Sequence, residues 1–290
     1  MTTQPSITGQ SAVAVVTGAT GGIGRWIALG LARAGYHVIL IGRDQVRGEA
    51  AQAWIAGQVQ GASTELLIAD LSLLAATRDA GALIASRHAE IAVLVNNAGV
   101  FEAKPVTTAE GHDRVLATNL LGPFVLTEAL LPSLRRGAPA RIVNVGSSTS
   151  DSARLDPDHL ELGRRWTMLG AYSQSKLALM MTTFALARRL ADAGVVANVV
   201  HPGTVATGLV RTGGVIGLVW RCLAPLALTE EQGAETPLHA ALAPEFAGVS
   251  GVYLKNRRIA PPNLQALDPA LIERVWTATE RLTASPQAQA

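Results

Sequence analysis

Tyr172 and Lys176 stand at positions i and i+4, so a helix through them sets both on one face. A phenol titrates near 10, too high for proton transfer at neutral pH. An ammonium beside it favours the phenolate and lowers that value. A tyrosine so placed can hand a proton to a carbonyl oxygen or take one from an alcohol. Alone, such a pair more often decorates a surface, so other residues have to join it. An apolar run at residues 12–17 leads directly into Thr17-Gly18-Ala19-Thr20-Gly21-Gly22-Ile23-Gly24, and helical spacing begins there. Glycines in such a turn allow a tight bend and close approach of backbone to a pyrophosphate. The start of the following helix offers free N–H groups and the positive end of its dipole. Ser147, at the end of another apolar run, can donate a hydrogen bond to a reacting oxygen.

The elements that must position these groups alternate along the chain. Strand-like runs at residues 12–17, 37–42, 65–69, 92–96, 141–146, 195–201 and 252–254 are separated by helical stretches. The clearest helices are 22–34, 108–136 and 171–193. This order predicts an α/β fold, a doubly wound sheet of about seven parallel strands with helices on both faces. The strands are near-continuous apolar runs, as both-face burial requires. One domain is expected over 1–290, with a core at 11–255 and an extension at 256–290.

The TGxxxGxG spacing resembles the short-chain dehydrogenase/reductase family, and further landmarks of that family follow in order. Asp70-Leu71 resembles the pair that meets the adenine. Asn96-Asn97-Ala98-Gly99 resembles the turn after the fourth strand. Asn119 lies in the next helix, Ser147 rather than Ser148 takes the place of the acting serine, and Tyr172-Ser173-Gln174-Ser175-Lys176 matches YxxxK. Pro202, Gly203, Thr204 and Thr207 follow the sixth strand. The resemblance covers roughly residues 11–255. It implies a Rossmann-like fold and an NADP(H)-dependent oxidoreductase. Asn119, Ser147, Tyr172 and Lys176 would be catalytic, with Asn119 supporting a water relay from Lys176. Gly18, Thr20, Gly22, Ile23, Gly24, Arg43, Asp70, Leu71, Asn97, Ala98, Gly99, Tyr172, Lys176, Pro202, Gly203, Thr204 and Thr207 would line the cofactor. The long stretch 151–169 between Ser147 and Tyr172 is similar to the retinol-dehydrogenase-like branch. So are Thr229-Glu230-Glu231-Gln232-Gly233-Ala234 and Gln265-Ala266-Leu267-Asp268. That branch often carries an N-terminal membrane anchor. The first ten residues show none, so a soluble, bacterial-type member is expected.

Cofactor choice turns on the end of the second strand. Gly42 stands where an acidic residue would repel a 2′-phosphate, and Arg43 can pair with that phosphate. Asp44, one position on, is the rival reader and would serve NAD. Residues 208–228 read as a mobile apolar lid, which suggests a lipophilic carbonyl or alcohol substrate; packing on the core is the other reading. Helix 171–193 is apolar on more than one side, and this predicts a homodimer or homotetramer.

Composition excludes other classes. The 290 residues are 49% apolar and 16% charged with a net charge of +2. The basic residues fall in scattered pairs, so no nucleic-acid footprint is present. Cys222 is the only cysteine, so no intrachain disulfide can form, and a cytoplasmic setting fits. No membrane span is expected. His112, His159 and His239 lack metal-ligand spacing, and no metal is expected. His201, at the end of the sixth strand, reads as a residue that packs or lies near the cofactor rather than as an acid or base. Two other readings remain: a non-catalytic NADP-binding sensor, and a redox-neutral reaction on the same fold.

Overall fold

The computed structural model describes residues 11–205 and 227–284. Its sheet has eight strands in the order β3-β2-β1-β4-β5-β6-β7-β8. The strands are β1 Val13–Thr17, β2 His37–Gly42, β3 Thr64–Ile68, β4 Val93–Asn96, β5 Ala140–Val145, β6 Val195–His201, β7 Tyr253–Lys255 and β8 Arg258–Ala260. The first seven pair in parallel, as expected. The eighth is a departure. Asn256 and Arg257 both have positive φ, 48° and 62°, and form a two-residue turn. The chain then returns antiparallel to β7. A three-residue strand beginning with arginine carries no periodicity to betray it.

Successive side chains along each strand serve opposite layers. Val15, Ile39, Leu94 and Ile142 join one core with α3 Leu74–Arg87, α4 Arg114–Arg136, α5 Met168–Arg189 and α7 Pro269–Thr283. Val16, Leu40, Val95 and Val143 join the other with α1 Gly22–Arg33, α2 Gln45–Gln58 and α6 Glu230–Leu242. Helix α4 begins at Arg114, not near residue 108. Thr107 and Asp113 still pair as a bridge, and Asp113 caps the helix by accepting from Leu116 N at 3.0 Å. It is the one helix among the described residues long and apolar enough to cross a membrane, and 72% of its most apolar stretch is buried within the fold.

The expected reason for oligomerisation does not hold. Leu177, Leu179, Met180, Met181, Phe184 and Leu186 are all buried within the chain. Helix α7 covers the face assigned to a symmetry mate. Trp276 packs edge-on against Phe124 at 4.8 Å, and Arg189 lies over its ring at 4.1 Å.

The stretch 151–169 and the C-terminal extension support each other. Asn263 Nδ2 donates to the carbonyls of Ser150, Asp151 and Ala153 at 2.8, 3.1 and 2.8 Å. Gln265 pairs with both backbone groups of Leu155 at 3.0 and 3.2 Å. Gln174, on α5, donates to the carbonyls of His159 and Leu160. Side-chain amides thus replace a ladder in a segment with no strand partner. Asn263→Ala strips the donor from three carbonyls, so unfolding in urea should show a loss of about 1–3 kcal/mol. Unchanged stability would mean that the stretch holds itself.

Candidate active site

The order of strands reverses between β1 and β4, so a crevice opens beyond their C-terminal ends. Both walls are tied there. Thr17 Oγ1 accepts from the backbone N–H groups of Asn97 and Ala98, each at 2.9 Å, and Asn97 Nδ2 donates to Thr17 O at 2.9 Å. This close approach makes demands on the glycine turn. A Cβ at Gly18 would lie 3.0 Å from Ala98 Cα, and its φ is +64°. A Cβ at Gly24 would sit 2.3 Å from Gly18 O. Gly22, by contrast, has only Glu230 Oε1, at 4.0 Å, near that position. Helix α1 starts at this open side with Gly21 as its cap, no side-chain cap bond and no acid in its first turn. Its leading N–H groups suit a pyrophosphate. Ile23 packs against Gly233 of α6, which anchors the turn from outside.

The second-strand question has a structural answer. Asp44 caps α2, accepting from Arg47 N at 2.9 Å. One oxygen of its carboxylate is thus used at the helix start. Arg43 is exposed beside it. Gly42 does not leave open room, because a Cβ there would meet Thr20 Cγ2 at 2.3 Å. The glycine lets Thr20 pack down. Sequence reasoning missed Arg47, whose guanidinium lies 2.9 Å from where Gly21 would carry a Cβ. The signal available was the capping pattern itself, which puts position 47 in the first turn of α2. Arg25 instead stacks on Trp54 at 4.4 Å and pairs with Glu230 at 3.9 Å. Asp70 is half-buried, its Oδ1 held by Ser72 N and Oγ at 3.0 and 2.8 Å, and Leu71 is buried beside it.

The residues expected to be catalytic come together across the crevice. Asn119 lies in a π-helical turn, Ala117–Leu121, within α4. Such a bulge re-aims a side chain, and many occur at functional sites. Its amide accepts from Val100 N at 2.8 Å and donates to Val100 O at 3.0 Å and Ser175 Oγ at 3.1 Å. That links the Asn97-Ala98-Gly99 turn to α5. Lys176 is buried and donates to Val145 O at 2.7 Å. A Cβ at Gly99 would lie 3.4 Å from Lys176 Nζ and 3.3 Å from Asn119 Oδ1, so glycine keeps this spot clear. The Ser147 hydroxyl accepts from Thr149 N and Oγ1 at 3.3 and 3.1 Å. Tyr172 lies within its reach, and the contact favours the phenolate.

The electrostatics differ from the expectation for Tyr172. Burial pushes its pKa up, and the Ser147 hydrogen bond only offsets this in part. Lys176 does not bring it down: the ammonium is 5.9 Å from the ring centroid, and burial lowers the lysine's own pKa to about 8. His201, read as packing or lying near the cofactor, accepts from Ser148 N at 3.2 Å. Burial first, then Lys255, lower its pKa to about 4, with Asp151 opposing. It is thus a neutral acceptor that steadies the serine turn.

Phe101 meets Tyr172 edge-on at 4.9 Å, and Val100, Leu162 and Trp166 pack in the same cluster. Trp166 is held by Asp113 Oδ2 at 2.8 Å. The 151–169 stretch thus walls the tyrosine. Past β6, Gly203 has φ +87°, and its missing side chain makes room for Leu228. Leu228 N bonds Thr204 O at 2.8 Å, beside a bridge between Val205 and Leu228. Pro202 is half-buried and Thr204 exposed. Thr207, Cys222 and residues 208–226 of the expected lid lie outside the described residues.

Residues 12–213 match the short chain dehydrogenase family. The chain belongs to that family. It is 36% identical over 275 residues to human retinol dehydrogenase 13, covering 92% of this chain and 83% of that protein. It is 39% identical over 279 residues to mouse polyprenol dehydrogenase, covering 93% and 83%. Among solved structures, a Burkholderia cenocepacia short chain dehydrogenase in complex with NADP is 28% identical with a TM-score of 0.69, covering 84% and 96%.

In this short-chain dehydrogenase the buried lysine leaves a measurable trace. Its pKa falls from 10.5 to about 8 on folding, so between those values the unfolded chain binds more protons. Stability therefore rises with pH across that window. Relative to Lys176→Met, the native protein without added cofactor should gain stability from pH 8 to pH 10.5 in denaturant titrations. A difference independent of pH would show that the ammonium is not desolvated.

Proposed function

We propose that this chain is an NADP(H)-dependent reductase that interconverts a ketone or aldehyde with an alcohol on a lipophilic molecule. The observation that carries this reading is the buried pairing of Tyr172 with Ser147, opposite an uncapped glycine turn. The cofactor supplies the hydride for the carbonyl carbon. Burial holds Tyr172 as the phenol, the form that donates a proton to the carbonyl oxygen as negative charge develops there. Ser147 has spent its acceptor capacity on Thr149 and donates its hydrogen to the same oxygen. Lys176 keeps donors beyond the bond to Val145 O and would hold the cofactor's ribose. Asn119 braces the turn that carries Gly99 and fixes α5 against it.

Arg47 lies beside the glycine turn and Arg43 is exposed at the end of β2, while one oxygen of Asp44 is used to cap α2. This supports NADP(H) over NAD(H). The apolar cluster of Phe101, Leu162 and Trp166 around Tyr172 supports a lipophilic substrate, and the names of the retinol and polyprenol dehydrogenases point the same way.

The test is NADPH consumption across aldehydes of graded length. Binding should strengthen by about 0.8 kcal/mol per buried methylene. Tyr172→Phe should lower turnover about 10²–10⁴-fold while NADPH affinity stays within about twofold, since the groups of the phosphate cradle are untouched. A preference for small charged substrates, or near-full activity of Tyr172→Phe, contradicts the reading. For the cofactor, a charge-assisted contact contributes about 1.5–3 kcal/mol. Arg43→Ala and Arg47→Ala should thus each weaken NADPH at least about tenfold and leave NADH unchanged. Equal loss for both cofactors would assign the arginines to the shared pyrophosphate.

A further inference from the structure

We propose that His37, Glu65 and His88 form a binding site for a borderline divalent cation, zinc foremost, at the end of the sheet remote from the catalytic crevice. The three residues come from three elements. His37 opens β2, Glu65 is the second residue of β3, and His88 follows the last turn of α3. Ile39 pairs with Glu65, and His37, two positions earlier, lies on the same sheet face. One ligand atom from each residue lies within 4.8 Å of the other two. His88 Nε2 is 2.9 Å from Glu65 Oε2, and His37 Nε2 is 3.8 Å from the same oxygen.

The unpaired atom is the strongest indication. His37 Nε2 is buried and makes no hydrogen bond of ordinary length, Glu65 Oε2 standing off at 3.8 Å. His37 Nδ1 lies 2.7 Å from Ser63 Oγ. With Nδ1 donating to that hydroxyl, Nε2 presents a lone pair toward a carboxylate oxygen. Two acceptors then face each other, an arrangement that a cation between them satisfies. Metal-bound histidines commonly donate their other ring nitrogen to such a partner. Arg87 occupies Glu65 Oε1, which fixes the carboxylate and leaves Oε2 for the metal. Bonds of about 2.0–2.2 Å place tetrahedral ligand atoms roughly 3.3 Å apart, so small side-chain adjustments close the site. Two imidazoles, one carboxylate and an open fourth position suit zinc over magnesium or calcium. This departs from the sequence expectation of no metal: ligands on three separate elements leave no short spacing to read.

The six residues of β2 separate His37 from Gly42 at the cofactor end, about 17 Å of strand. The ion would therefore act on the fold, clasping the edge strand β3 to β2 and α3, and would leave turnover alone. The experiment uses tag-free protein titrated with zinc against a chromophoric chelator, followed by thermal unfolding with and without zinc. One equivalent should bind, and the midpoint should rise with zinc concentration, as for any ligand selective for the folded state. His37→Asn, His88→Asn and Glu65→Gln should each weaken binding at least about tenfold and abolish the thermal shift, with NADPH-dependent turnover unchanged as the check on folding. Absence of stoichiometric binding, or equal zinc affinity in the three variants, overturns the proposal.

Discussion

The exchange of hydrogen bonds between Thr17 and Asn97 is the constraint on which the site depends. At the switch point the connections after β1 and β4 leave to opposite faces of the sheet, and the ladder does not hold them together beyond the strand ends. A hydroxyl and an amide do so here. Once β1 and the turn after β4 are this close, Gly18 and Gly24 have no room for side chains. The same turn runs on to Val100, which Asn119 grips through both backbone groups, and Asn119 in turn holds Ser175 on α5. One layer below, Asn96 donates to Asn144 Oδ1 at 2.8 Å, and Asn144 donates to Thr183 at 2.8 Å. Polar groups buried in this way are costly unless paired. These bonds tie the helix of Tyr172 and Lys176 to β5 and β4, while Asn96 Oδ1 itself is buried without a partner.

Most of the frame was legible because parallel strands buried on both faces leave continuous apolar runs, and because the glycine turn and the Tyr–Lys pair have local spacing. The seven parallel strands and the glycine turn follow from such signals, whereas Asn119 and Ser147 were singled out through the family resemblance. What local spacing does not encode was missed. The hairpin partner β8 is too short for periodicity. The face of α5 read as a subunit contact is covered by α7, and an apolar helix face does not say whether the covering surface comes from its own chain. Arg47 and Phe101 reach the site only through the packing of separate elements. Between Arg43 and Asp44 the sequence left a choice; the structure ties one oxygen of Asp44 to the start of α2 and leaves Arg43 exposed.

Burial also sets the proton inventory. Tyr172 and Lys176 are both held toward their neutral forms, for the same reason: each charged form has lost its water. His201 follows them, and as a neutral acceptor it supports the serine turn without titrating near neutrality. The 151–169 stretch contributes to this dryness through Leu162 and Trp166. That stretch is held by Asn263 and Gln265, so the C-terminal extension supports the wall around Tyr172 as well as the core.

The central claim is that the crevice carries hydride to a carbonyl with Tyr172 as the acid. The direct measurement is a single turnover with NADPH deuterated at the transferred position and a long-chain aldehyde, followed by mass spectrometry of the product. The account predicts an alcohol with one deuterium on its carbinol carbon and none at that carbon from deuterated solvent. NADPH that binds but is never consumed, or a product without the label, would contradict it.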